Sequence, residues 1–141
     1  MSESADDGTS QCPTVASHAA MRAALEAYVD RINKGDKNGI LALFAPDAVI
    51  EDPVGAPTRS GKAIETWFAD TITFGTRIRP VAPIRGSHAN AAALIFEVTF
   101  RPPDGPPMLI RSLDVCTFDG EGRITSLKAY WGPDDVDILP C

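Results

Sequence analysis

Histidine is scarce in this sequence: His18 and His88 are the only two, and neither belongs to an HExxH or comparable cluster. Each reads as a structural or surface residue, and no metal site is expected. Cysteine is nearly as sparse. Cys12, Cys116 and Cys141 are an odd number without close spacing, which favours free thiols over a disulfide framework, and no CxxC is present. Basic stripes are missing as well. A net charge of −6 without a Lys/Arg-rich face argues against nucleic acid as a partner, because neutralising phosphate supplies most of that affinity. No apolar run approaches the roughly 18–20 residues that span a bilayer, so no membrane partner is expected. The opening MSESADDGTSQ has neither a basic n-region nor an apolar h-region, so a cleaved signal peptide is not expected and the cytoplasm is the expected compartment. There is no P-loop, no dinucleotide GxGxxG, and no Ser-His-Asp or Cys-His arrangement, since His88 in GSHAN lacks a nucleophile partner. No cofactor is expected.

What is there reads as one domain of ordinary size, with an apolar fraction of 44% and a charged fraction of 23% in 141 residues. Residues 1–15 read as a disordered leader, 16–132 as the domain and 133–141 as a tail. From Ala16 to Lys34 the apolar residues Met21, Leu25, Tyr28, Val29 and Ile32 fall on one helical face, and Gly35 supplies a stop. Asp36 is placed to cap a short second helix carrying Ile40, Leu43 and Phe44, which Pro46 ends. A short strand from Ala48 to Asp52 closes at Pro53 and Gly55. Ser60 is then the expected cap of a third helix burying Ile64, Trp67, Phe68 and Ile72. After Gly75 the period changes to two. Leu94, Phe96, Val98 and Phe100 alternate with Ile95, Glu97, Thr99 and Arg101, RPPDGPP turns the chain, and a strand returns from Met108 to Phe118. DGEG at Asp119–Gly122 leads to a last strand through Trp131. Helices first and antiparallel strands afterwards predict an α+β fold, with the helices packed on one face of a curved sheet.

Three polar residues fall on faces otherwise expected to be buried. Along the strand from Met108, one row reads Met108, Ile110, Ser112, Asp114, Cys116, Phe118, and Asp114 is its only ionisable carboxyl. If that row faces the core, burial raises the carboxyl's pKa and leaves a protonated hydrogen-bond donor. Alternation alone leaves the opposite register open, with Asp114 in water. Asp52 shares a side with Ala48 and Ile50. It reads either as an acid facing the core or as an Asp-Pro turn whose carboxylate serves the local backbone. Tyr28 reads as an ordinary core tyrosine or as a buried donor. Together the three match what proton abstraction beside a carbonyl requires: a carboxylate base and two neutral donors at the developing enolate oxygen.

The stretches AYVDRINKGD, FAPDAVIEDPVG, SGKAIETWF, PIRGSHANAAALIFEV and LDVCTFDGEGRITSLKAYW resemble the bacterial ketosteroid isomerases in order and spacing, over about residues 20–131. The resemblance implies the cone-shaped, cystatin-like α+β fold of nuclear transport factor and polyketide-cyclase-like proteins, which serves more than one chemistry. It implies that Asp52 is the general base and that Tyr28 and Asp114 form the oxyanion hole, Asp114 being a carboxylic acid that an apolar site keeps neutral, for which this family is the standard example. It further implies that Phe68, Leu94, Phe96, Val98, Leu127 and Trp131 line the pocket for a steroid or other flat apolar molecule. The implied reaction is Δ5-to-Δ4 isomerisation of a 3-oxosteroid through a dienolate, in a homodimer. Two departures stand out: Phe44 and Ala69 occupy positions where well-known members carry further tyrosines bonded in series to the oxyanion tyrosine. The rival readings are a polyketide-cyclase- or dehydratase-like enzyme of the same fold, and a non-catalytic protein holding an apolar ligand.

Overall fold

Helix α1 runs over His18–Lys34. Ser17 caps it, its Oγ accepting from the Ala20 N–H at 3.0 Å, and Gly35 ends it at φ 71, a left-handed conformation that costs glycine little. Its inward face buries Met21, Ala24, Leu25, Tyr28 and Ile32. The computed structural model describes residues 16–140, so the expected leader, Cys12 and Cys141 lie outside the described residues.

Helix α2, Lys37–Leu41, is capped by Asp36 as expected but stops short of Phe44. The reason is that strand β1 already begins at Phe44, running Phe44–Glu51 and pairing parallel with strand β6, Ile124–Tyr130. Pro46 therefore sits inside a strand and not at a helix end. The pairing register shifts between Phe44 and Val49, which accommodates a residue with no N–H to give to the ladder. Ser60 also differs from expectation. It closes the two-residue strand β2, Arg59–Ser60, and Gly61 at φ 55 turns the chain into helix α3, Lys62–Thr73. On α3, Ile64 and Phe68 are fully buried, while Trp67 and Ile72 are half-buried.

The remaining strands are β3 (Arg77–Pro80), β4 (Ala91–Phe100), β5 (Met108–Phe118) and β7 (Val136–Ile138). They complete a seven-stranded sheet in which six strands run in the order β2-β1-β6-β5-β4-β3 and β7 pairs with β5. β4 and β5 pair antiparallel along their whole length, from Ala91 opposite Thr117 to Phe100 opposite Met108. The three helices pack on this curved, mainly antiparallel sheet, as an α+β cone. Residues expected as a tail instead form a 3-10 turn, Pro133–Asp135, and β7. β7 pairs with Met108–Ile110 beyond the point where β6 leaves β5, and Arg111 Nη2 donates to Asp137 Oδ2 at 2.7 Å. With only three residues to alternate, this segment is made a strand by the vacant sheet edge beside it.

Candidate active site

The β5 row that carries Asp114 faces inward. Ile110, Ser112, Asp114, Cys116 and Phe118 are buried, whereas Arg111 is exposed. Asp114 is 3% exposed and stands opposite Leu94 on β4 and Ala129 on β6. Burial pushes its carboxyl well above the usual carboxylate range, and the negative charge of Asp52 pushes it further; the Ser112 hydroxyl, 3.5 Å away, works weakly in the opposite direction.

Tyr28 comes to the same place from α1 and is 6% exposed. Its ring meets Phe44 and Phe68 edge-on, with centroids 6.4 and 6.1 Å away. Burial raises the phenol's pKa well above its ordinary value, as do the charges of Asp114, Cys116 and Asp52. The hydroxyl is therefore a neutral donor throughout the physiological range.

Asp52 follows directly on β1. The turn beyond it uses a different carboxylate: Glu51 Oε2 accepts from the Gly55 N–H at 2.9 Å, and the Val54 N–H donates to the Ala129 carbonyl at 2.8 Å. Asp52 Oδ1 instead accepts from the Trp131 indole Nε1–H at 2.8 Å. The turn reading of Asp52 thus gives way to a carboxylate aimed across the sheet. Burial raises its pKa, while the Trp131 hydrogen bond and the charge of Arg59 oppose that rise.

Tyr28, Asp52 and Asp114 line one cavity of about 370 Å³. Its floor follows the row Asp114, Ser112, Ile110, Met108 on β5 with Phe96, Val98 and Phe100 opposite on β4. The six residue-to-residue steps along the strand from Asp114 to Met108 make the trough about 20 Å long. Of the expected lining residues, Phe96, Val98 and Trp131 border the cavity. Phe68, Leu94 and Leu127 do not; each is a fully buried core residue. Phe68 packs beneath Tyr28 and Phe44, Leu94 lies beside Asp114, and Leu127 faces Ile50 across the parallel pairing of β1 and β6.

Sequence reasoning missed Trp67, Asp70 and Thr71 on α3, and Phe74, Thr76 and Ile78 just after it. It also missed Ile110, Ser112 and Met108, although they share the alternation row of Asp114, which was the available signal. Among the described residues no group of three or more His, Cys, Asp or Glu is placed to hold a metal. His18 Nε2 donates to the Ser87 carbonyl, and His88 is exposed. Also among the described residues, no helix is long and apolar enough to cross a membrane.

A cone of helices packed on a curved sheet around an apolar cavity places the chain in the nuclear-transport-factor-like class. Within it, the chain belongs to the SnoaL-like domain family, which it matches over residues 25–127. Steroid Delta-isomerase of Nocardioides simplex is 36% identical over 122 residues, covering 86% of this chain and 98% of that protein. The epoxide hydrolase LasB of Streptomyces lasalocidi is 30% identical, covering 77% of this chain and 46% of that protein. The solved structure of the epoxide hydrolase/cyclase-like enzyme SalBIII, which acts in pyran ring formation in the polyether salinomycin, superposes with a TM-score of 0.79 at 27% identity, covering 86% of this chain and 97% of that one. All three relatives are enzymes.

Proposed function

We propose that this protein is a Δ5-3-ketosteroid isomerase. The observation that carries the reading is the combination in one apolar cavity of a carboxylate held by Trp131 with two buried acids, Asp114 and Tyr28, whose pKa values burial pushes well above their ordinary ranges. The substrate's 3-oxo group would accept from the Tyr28 hydroxyl and the Asp114 carboxyl. Asp52 would take the C4 proton, the C–H electrons flowing into a dienolate whose oxygen the two donors stabilise. The same proton returned to C6 would leave the Δ4 enone and restore Asp52, so no cofactor enters the balance. A non-catalytic apolar-ligand protein would gain nothing from a costly buried carboxyl. The homodimer implied by the resemblance, and the cytoplasmic setting expected from the opening sequence, belong to the same proposal.

The test is a spectrophotometric assay with 5-androstene-3,17-dione, following the absorbance of the conjugated enone. Enzyme-dependent conversion, lost in Asp52→Asn, is the expected result. A second reading is favoured by the likeness to LasB and SalBIII: a protonated Asp114 could donate to an epoxide oxygen while Asp52 takes a proton from the attacking hydroxyl or water. No steroid turnover, with opening of a polyether epoxide by the same site, would replace the first reading with this one.

A further inference from the structure

One charged side chain near Asp52 has a polar atom buried without a partner. Arg59 stands directly opposite Ile50 in the antiparallel pairing of β2 with β1. Directly opposed residues point to the same face, and Ile50 and Asp52, two residues apart along the chain, share a face. The register therefore delivers the Arg59 side chain to the side from which Asp52 projects. There its Cζ lies over the Trp67 ring, 4.1 Å from the centroid, and Trp67 is a wall of the cavity. Among the described residues its Nη1 is buried and has no hydrogen-bond partner, and it joins none of the ion pairs they form. An unpaired buried donor on a permanent cation is costly, and native proteins keep few of them.

We propose that Arg59 is a positioning residue: stacked on Trp67, it holds a fixed positive charge beside Asp52 without bonding to it, so the base stays ionised in an apolar cavity while its second oxygen is left for the substrate proton. A direct Arg–Asp pair would occupy that oxygen and remove the basicity the reaction needs. A displaced charge offsets part of the burial penalty and leaves the oxygen free. Arginine suits this role because it cannot lose its proton and stacks on aromatic rings. The other groups around Asp52 cannot substitute for it. Asp114 on β5 and Asp70 on α3 line the same cavity and Glu51 precedes Asp52 on β1, so any charge they carry is negative; Tyr28 on α1 is neutral. Lys128 on β6, opposite Glu51, is exposed. Arg59 is the cation whose charge acts on Asp52.

The kinetic arm of the test rests on the isomerase reading; the spectroscopic arm does not. The Asp52 carboxyl carbon is titrated by NMR and kcat/KM is measured against pH. Arg59→Met keeps an apolar stem on Trp67 and removes the charge. The Asp52 midpoint, and with it the acid limb of kcat/KM, is expected to rise by about half a pH unit or more. Arg59→Lys keeps the charge, and its midpoint is expected near that of the wild type. Should Arg59→Met fail to fold, Arg59→Gln carries the same expectation. An Asp52 midpoint unmoved by the neutral variants, or moved as far by Arg59→Lys, overturns the proposal. A moved carboxyl midpoint in a protein without steroid turnover would sink the isomerase reading and leave the Arg59 assignment standing.

Discussion

Replacing Asp114 perturbs activity and stability in opposite directions, and both follow from its burial. At 3% exposure its carboxyl is pushed well above the usual carboxylate range, chiefly by desolvation. In the proposed role of neutral donor to a developing oxyanion it would be worth about 10²–10³ in kcat, or about 2.7–4 kcal/mol. Asp114→Ala and Asp114→Leu remove the donor and are expected to lose turnover on that scale, softened by Tyr28, which still donates. Asp114→Asn retains an N–H donor and should lose less. Stability moves the other way. A group whose folded pKa is raised contributes stability that is fully present below its unfolded pKa, about 3.9, and is lost as pH rises toward the folded value. Each pH unit between the two costs the wild-type fold about 1.4 kcal/mol. Asp114→Asn cannot ionise and escapes that loss. Its melting temperature relative to wild type should therefore climb between pH 4 and pH 7, by about 3–5 °C for each kcal/mol in a chain of this size. Paired thermal melts at the two pH values and kcat on 5-androstene-3,17-dione make the measurement. Equal harmlessness of Asp114→Ala and Asp114→Asn, a melting difference that ignores pH, or an ionised Asp114 at pH 7 by carboxyl-carbon NMR of the ligand-free protein would each refute the reasoning.

Asp52→Asn keeps the shape but cannot accept a proton, so kcat should fall about 10²–10⁴-fold with product-steroid binding, read by tryptophan fluorescence, largely retained; a variant keeping more than about a tenth of wild-type kcat removes Asp52 from the mechanism. Trp131→Phe deletes the N–H that bonds Asp52 Oδ1 and favours its charged form, so the acid limb of kcat/KM should move to higher pH, and an unmoved limb would deny the bond a role. Dialysis against EDTA should leave activity unchanged; a loss restored by one particular metal would reveal a site formed without a recognisable ligand cluster.

Much of the fold was legible because its signals are local. Ser17 and Gly35 bracket α1, Asp36 caps α2, and the alternation around Phe96 and Ser112 marks β4 and β5. What was not legible depended on partners distant in sequence. Phe44 belongs to a strand because β6 is there to pair with it, and Pro46 is tolerated because the register slips beside it. Val136–Ile138 alternates over only three residues, too few to signal a strand, and becomes one because β5 has an open edge. The lining of the cavity failed in the same way: apolar residues at Phe68, Leu94 and Leu127 are equally suited to core and to pocket, and only their depth in the cone assigns them to the core.

The inward register of Asp114, which its own strand left undecided, is settled once β4 and β5 are read as a pair. In β4 the row Leu94, Phe96, Val98, Phe100 is wholly apolar, whereas the other carries Glu97 and Thr99, so the first row is the one that must be buried. The turn RPPDGPP places Phe100 opposite Met108, and antiparallel pairing then carries the same face along both strands, through Val98 with Ile110 and Phe96 with Ser112, to Leu94 with Asp114. Moving Asp114 into water would also expose Leu94, Phe96 and Val98, at roughly 1.5–3 kcal/mol for each large apolar side chain. That sum exceeds the cost of burying one carboxyl in its protonated form, about 1.4 kcal/mol for each unit its pKa must rise above about 3.9 to stay neutral at pH 7. The same hydrophobic row that walls the cavity thus carries an acid into it and pushes that acid's pKa upward there.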